Sequence, residues 1–288
     1  MIGAAVAAGL PMHAQVPCRA IGIMLGLEAT LHPFGGHPTY RRELAHLPHA
    51  EQVERMRDPA LRERILEEKP PQGLESLLGD FERLFVLGDP PEYEPAPDLS
   101  IAARAASMGV EPSALAYDLL LEEEGKALLY RPFLNYTNFD LDVSRQMLLD
   151  PNTVPGLSDA GAHCGMICDG SFPTYLMAHW GRDRSRGERL PLEMLVKLQT
   201  ADTASLVGLE DRGRIVPGLR ADLNLIDWEG LSLQPPKMVF DLPLGGKRLI
   251  QKARGYRETL VAGETICREG ELTGALPGRR VRGAQGAR

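Results

Sequence analysis

The residues best suited to chemistry lie in one stretch, VPGLSDAGAHCG, residues 154–165. An apolar run ends in Ser158-Asp159, and His163 follows on a loop of small residues. A carboxylate at the end of a buried strand is costly unless it is paired, so Asp159 needs a reason. One reason is local: an Asx turn or a cap, the commonest role of a single acid in a loop. The other is proton transfer, for which a positioned carboxylate is well suited. His163, four residues on, either faces the same site or packs the loop.

The other six histidines are His13, His32, His37, His46, His49 and His179, and no two of the seven form an H-x-H pair. His13 sits between Met12 and Ala14 and reads as packing. His32 and His37 flank PFGG and read as loop structure, while His46 and His49 bracket Pro48 on a polar, solvated stretch. His179-Trp180, at a helix end, reads as core or rim. Arg19, in PCRAIG after a strand, has two readings: a contact to a substrate carboxylate, or a surface salt bridge. Cys18, Cys164, Cys168 and Cys267 match no zinc-finger spacing and read as free thiols of a reducing cytoplasm.

These residues must be positioned by a chain of 288 residues, enough for one large domain or two smaller ones. The net charge of −7 argues against a nucleic-acid footprint, and the Arg-rich stretches 182–189 and 279–288 read as a solvated loop and a tail. No run reaches the roughly 18 apolar residues of a membrane span. MIGAAVAAGLPM has no basic n-region and reads as a helix end rather than a leader.

A strand is expected over 10–16, then a long loop over 17–48 with at most one helix. A charged helix over 50–69 should break near Pro59. A strand is expected over 81–88, and DPPEYEPAPD (89–98) reads as a surface connection. Helices follow from Ser100 and from Pro112. KALLYRPF (126–133), DLDVSRQMLLDP (140–151) and TVPGLSD (153–159) read as strand, helix, strand, the rhythm of a parallel sheet. In such sheets function gathers at the C-terminal strand ends, where Asp159 stands. A helix over 190–208 ends at Gly208. Beyond it the chain turns to short alternating runs, with a hairpin over 258–274 turning at Gly263. A boundary is placed between a first part, 1–208, and a β-rich part, 209–288.

GLSDAGAH, GSFPTYLMAHW, TADTASLVGLEDRGRIVPGLRADLNLID and GGKRLIQKARGYRETLVAGETICREGELTGALPGR together resemble the C-terminal half of the amidohydrolase superfamily. The branch they resemble is the D-aminoacylase type, the N-acyl-D-amino-acid deacylases of amidohydrolase family 3. HAQVPCRAIGIMLGL and LRERILEE extend the likeness over nearly the whole chain. The resemblance implies an α/β fold: the C-terminal part of a metal-dependent-hydrolase (β/α)8 TIM-like barrel, followed by a small β-sandwich domain.

It also implies hydrolysis of carbon–nitrogen bonds in non-peptide amides, with zinc or another divalent metal as cofactor. Asp159 corresponds to the acid that binds at or near that metal and carries the proton; His163 and Arg19 are the candidate substrate contacts. The family's H-x-H pair has no counterpart here, so the chain reads as truncated and is not expected to hold the metal alone. Where D-aminoacylases of this type carry an arginine before G-[ST]-F-P, this chain has Asp169, which is expected to repel a substrate carboxylate. The expected partner is a small amide, with neither nucleic acid nor membrane, and a homo-oligomer is left open. The alternative is a non-catalytic remnant of amidohydrolase ancestry, acting as a binding or structural partner.

Overall fold

Proline and capping side chains mark most of the helix starts. The computed structural model describes residues 1–69, 78–158 and 161–285. Helix α1 (Ile2–Ala7) buries none of its residues. After α2 (Pro38–Glu43), the charged stretch forms α3 (His49–Met56) and α4 (Pro59–Glu67). The break falls at Pro59, whose missing N–H costs nothing at a helix start, and Asp58 accepts from Leu61 N at 2.8 Å. Helix α5 (Ile101–Met108) is capped by Ser100, whose hydroxyl accepts from Ala103 N at 3.2 Å. Ser100→Ala is expected to cost about 1 kcal/mol. That should lower a thermal midpoint by roughly 2–4 °C for a chain of this size, readable by calorimetry.

Helix α6 (Pro112–Leu120) precedes the strand–helix–strand succession that the sequence suggests. Its members are β4 (Leu129–Leu134), α7 (Asp142–Leu149) and β5 (Thr153–Pro155). The two strands do not pair with each other. β4 lies between β2 (Ile21–Leu25) and β3 (Phe85–Val86), antiparallel to both, and β5 runs parallel to β1 (Ala14–Val16). The cause is β2, an apolar strand inside the stretch read as loop, which takes the edge of β4.

Helix α8 (Phe172–Ala178) continues into a π-helical turn, His179–Asp183. The helix expected over 190–208 is built as α9 (Leu192–Lys197), a second π-helical turn (Leu198–Asp202) and α10 (Thr203–Leu206). From β6 (Leu223–Ile226) onward, strands dominate. β7 (Ser232–Leu233) pairs with β10 (Ala253–Arg254), and β8 (Lys237–Leu242) with β9 (Gly246–Ile250). β11 (Tyr256–Val261), β12 (Glu264–Arg268) and β13 (Glu271–Leu272) complete an antiparallel sheet ordered β13-β12-β11-β6. The β11–β12 turn falls at Ala262-Gly263 as read, and Gly263 takes φ +82°, a region that favours glycine.

The described residues form two apolar cores. One gathers Ile23, Leu25, Phe34, Met56 and Ile65 around Tyr117. The other joins Val16, Cys18, Phe172, Trp180 and Leu195 to Leu231 and Leu249, so the β-rich part shares a core with the α8–α9 region. Among the described residues, no helix is long and apolar enough to cross a membrane.

Candidate functional site

Parallel pairing brings two strand ends together. Val16 lies opposite Pro155, and Gly156 N donates to Val16 O at 2.9 Å. The chain therefore leaves β1 through Pro17, Cys18 and Arg19 beside the exit of β5 through Gly156, Leu157 and Ser158. Leu157 adopts φ +63°, an uncommon backbone state for a leucine, directly before Ser158. Such states cluster at functional sites, where the surroundings hold them in place. Asp159 and Ala160 lie outside the described residues.

The loop after them is fastened to three different segments. Leu249 N of β9 donates to Cys164 O at 2.7 Å, Thr30 N to Gly165 O at 2.9 Å, and Met24 N of β2 to Met166 O at 2.8 Å. His163 takes φ +50°, and its carbonyl accepts from both Met166 N and Ile167 N. Its side chain is exposed.

Arg19 closes the far end of this loop from inside the protein. Its side chain is 2% exposed, and Nη2 donates to Cys168 O at 2.9 Å and to Asp169 Oδ1 at 3.3 Å. The guanidinium carbon lies 3.7 Å from the centre of the Tyr93 ring and 4.6 Å from that of Phe172. Nη1 is buried without a hydrogen-bond partner among the described residues. The expected repulsion of a carboxylate by Asp169 is thereby corrected, because the guanidinium balances that charge.

Between the two strand ends and the helices lies a cavity of about 160 Å³. Cys18, Phe172 and Leu176 form its buried floor, Pro155 and Pro173 flank it, and Ser158, Gln199 and Thr203 stand at its rim. The Cys18 thiol donates to Phe172 O at 3.4 Å, and burial pushes its pKa up to about 12, so it is a packing group and not a nucleophile. Cys18, Cys164, Cys168 and Cys267 are all free. Nothing in the sequence marks Cys18, Leu176 or Thr203 as cavity residues, since apolar and small side chains carry no chemical signature.

A second polar centre lies in the core. Glu94, 2% exposed, receives Arg184 Nη2 at 2.9 Å on Oε1 and Arg184 Nε at 3.1 Å on Oε2. Glu94 Oε2 also meets His179 Nε2 at 2.9 Å, and Leu141 N donates to Oε1 at 2.9 Å. Burial alone would push the Glu94 carboxyl up, but the His179 and Arg184 hydrogen bonds outweigh it and hold it at about 2. Two surface readings are corrected here: Tyr93–Pro95 of the Pro-rich connection is buried, and so is Arg184 of the Arg-rich loop. Gly187 lets that loop pass, since a Cβ there would meet the Arg184 guanidinium at 2.6 Å.

Residues 90–267, well over half of the chain, match the model of the amidohydrolase family. The chain belongs to the amidohydrolase family. The family is one of hydrolases, and the described residues are of mixed α/β class, with strands dominating from β6 onward. No match is found among proteins of curated function.

Similar solved structures include a D-aminoacylase described as defining a novel subset of amidohydrolases, at 23% identity and TM-score 0.38, covering 67% of this chain and 36% of that one. Another is the N-acyl-D-glutamate deacylase of Bordetella bronchiseptica complexed with zinc and a phosphonate inhibitor, at 19% identity and TM-score 0.35, covering 68% and 38%. The chain thus spans little more than a third of the length of these proteins.

A catalytic zinc usually takes three protein ligands. Among the described residues, no three His, Cys, Asp or Glu side chains form a group that could hold a metal ion. The donors described do not fit the cofactor, and no step is derived through it. The purified chain is expected to retain less than stoichiometric zinc after dialysis, as elemental analysis will show. One tightly held equivalent per chain would overturn this expectation.

Proposed function

We propose that this chain acts in hydrolysis of the carbon–nitrogen bond of non-peptide amides, with N-acyl-D-amino acids as the substrate class. The observation that supports this most is the junction of the β1 and β5 ends in an amidohydrolase-family chain, with Leu157 in a left-handed backbone state directly before Ser158. In this reading Asp159 takes a proton from the attacking water. It returns that proton to the amine nitrogen as the carbon–nitrogen bond breaks, acting first as base and then as acid. His163 contacts polar groups of the substrate from the loop. Arg19 offers Nη1, unpartnered among the described residues, to a substrate carboxylate, while Nη2 stays on Asp169 and Cys168.

The first part, 1–208, carries the site in this proposal, and 209–288 forms the β-rich companion. The partner is a small amide, without nucleic acid or membrane, in a reducing compartment such as the cytoplasm. The test is amine release from paired N-acyl-D- and N-acyl-L-amino acids, with zinc and other divalent ions supplied in turn. Release from the D series above the L series supports the reading. Release from neither, or from L alone, overturns it. One observation favours a second reading, a non-catalytic relative: the described residues assemble no metal-holding group. Binding of N-acyl-D-amino acids by calorimetry with no turnover under any metal would favour that relative.

A further inference from the structure

We infer that the cavity between the β5 exit and helices α8 and α10 is a binding site for a short apolar group, and that its size limits which amides the site accepts. The inference rests on the proposed amide substrate for its biological ligand, but the cavity's own chemistry stands apart from it.

Size comes first. At about 160 Å³ the space is comparable to a cavity of roughly 150 Å³ that takes a benzene ring. It is too small for a long acyl chain or a fused aromatic. Polarity comes second. Three polar side chains of the lining are already engaged, Cys18 Sγ with Phe172 O, Gln199 Nε2 with Pro173 O at 3.0 Å and Thr203 Oγ1 with Thr200 O at 3.3 Å, and the fourth, Ser158, is exposed at the rim. None of them is a buried polar atom left without a partner. A buried floor of Cys18, Phe172 and Leu176, with its one polar atom already hydrogen-bonded, holds water poorly and favours an apolar occupant. Position comes third. The rim includes Ser158, so an amide anchored here by its apolar end would present its polar end at the exit of β5. The occupant is thus a C3–C6 alkyl group or a phenyl ring of a neutral or N-acyl amide.

The test uses butyramide, benzamide and 2-naphthamide as probes, with binding followed by NMR of the full chain. Butyramide and benzamide are expected to bind, and naphthamide at least about tenfold more weakly, the scale of size discrimination in an apolar pocket. Thr203→Trp, at the half-exposed rim, should weaken benzamide binding at least about tenfold. Thr203→Ala should retain it, and circular dichroism checks that both variants fold. Naphthamide bound as well as benzamide, benzamide unaffected by Thr203→Trp, or no probe bound at all would each overturn the inference. Amine release from N-acyl-D-amino acids without any size limit also counts against the cavity but not against the function. Probe binding without amine release counts against the function alone.

Discussion

Asp159→Asn is expected to lower turnover at least about a hundredfold on whichever amide the protein hydrolyses best, because general acid–base groups typically contribute 10²–10⁴-fold. Asparagine keeps the size and the turn-forming capacity of aspartate, so a merely local role in the loop survives the exchange. What is lost is a group that can accept a proton and give it back. The loss should fall on kcat, with KM changed far less, since the cavity and the Arg19–Asp169 pair are untouched. Steady-state kinetics of both proteins, at saturating and limiting substrate, separates the two parameters. Near-normal kcat in the variant would reduce Asp159 to a loop residue and remove the proton carrier from the proposed mechanism.

Local chemistry made part of this molecule readable from its residues. Ser100 caps a helix, Pro59 breaks one and Gly263 turns a hairpin, and each acts on its own few neighbours. The pairing of strands depends on distant segments and was not readable in the same way. IGIML, in a stretch rich in proline, glycine and histidine, gives no sign that it will take the edge of β4, more than a hundred residues on. The same holds for charge. Glu94 in PPEYEPAP and Arg184 in RDRSR both look solvated in their own contexts. Each is buried because the other is there. At the site, the motif around Asp159 was visible by residue type, whereas the cavity lined by Cys18, Ser158 and Phe172 is a product of packing between strands and helices far apart in sequence.

The second large effect comes from that buried pair. Arg184→Ala is expected to destabilise the fold by about 3–5 kcal/mol, the usual cost of leaving one member of a buried ion pair without its partner. For a chain of this size that corresponds to a thermal midpoint lower by on the order of 10 °C. The arginine is fully enclosed: its guanidinium holds both Glu94 oxygens, donates to Glu188 O at 2.8 Å and lies 4.6 Å from the centre of the Trp180 ring. In the variant Glu94 keeps only His179 and Leu141 N, so its carboxyl should rise from about 2 toward the ordinary range near 4.5. The sign of the pH dependence follows. A carboxyl depressed in the folded state stabilises above its unfolded pKa, and that stabilisation is lost as pH falls through about 2. The wild type should therefore lose this contribution progressively between about pH 4.5 and 2, whereas Arg184→Ala should already lack most of it at neutral pH and show a flatter acid limb. Replacing both partners, Glu94→Gln with Arg184→Met, removes the stranded charge and should recover part of the loss, which makes the double variant more stable than the sum of the single changes allows. Calorimetry of the wild type, both single variants and the double variant from pH 7 to pH 3 measures all of this. Equal midpoints for wild type and Arg184→Ala at pH 7 would mean that Glu94 does not rely on this arginine, and that the pair is not what holds the 89–98 connection inside the protein.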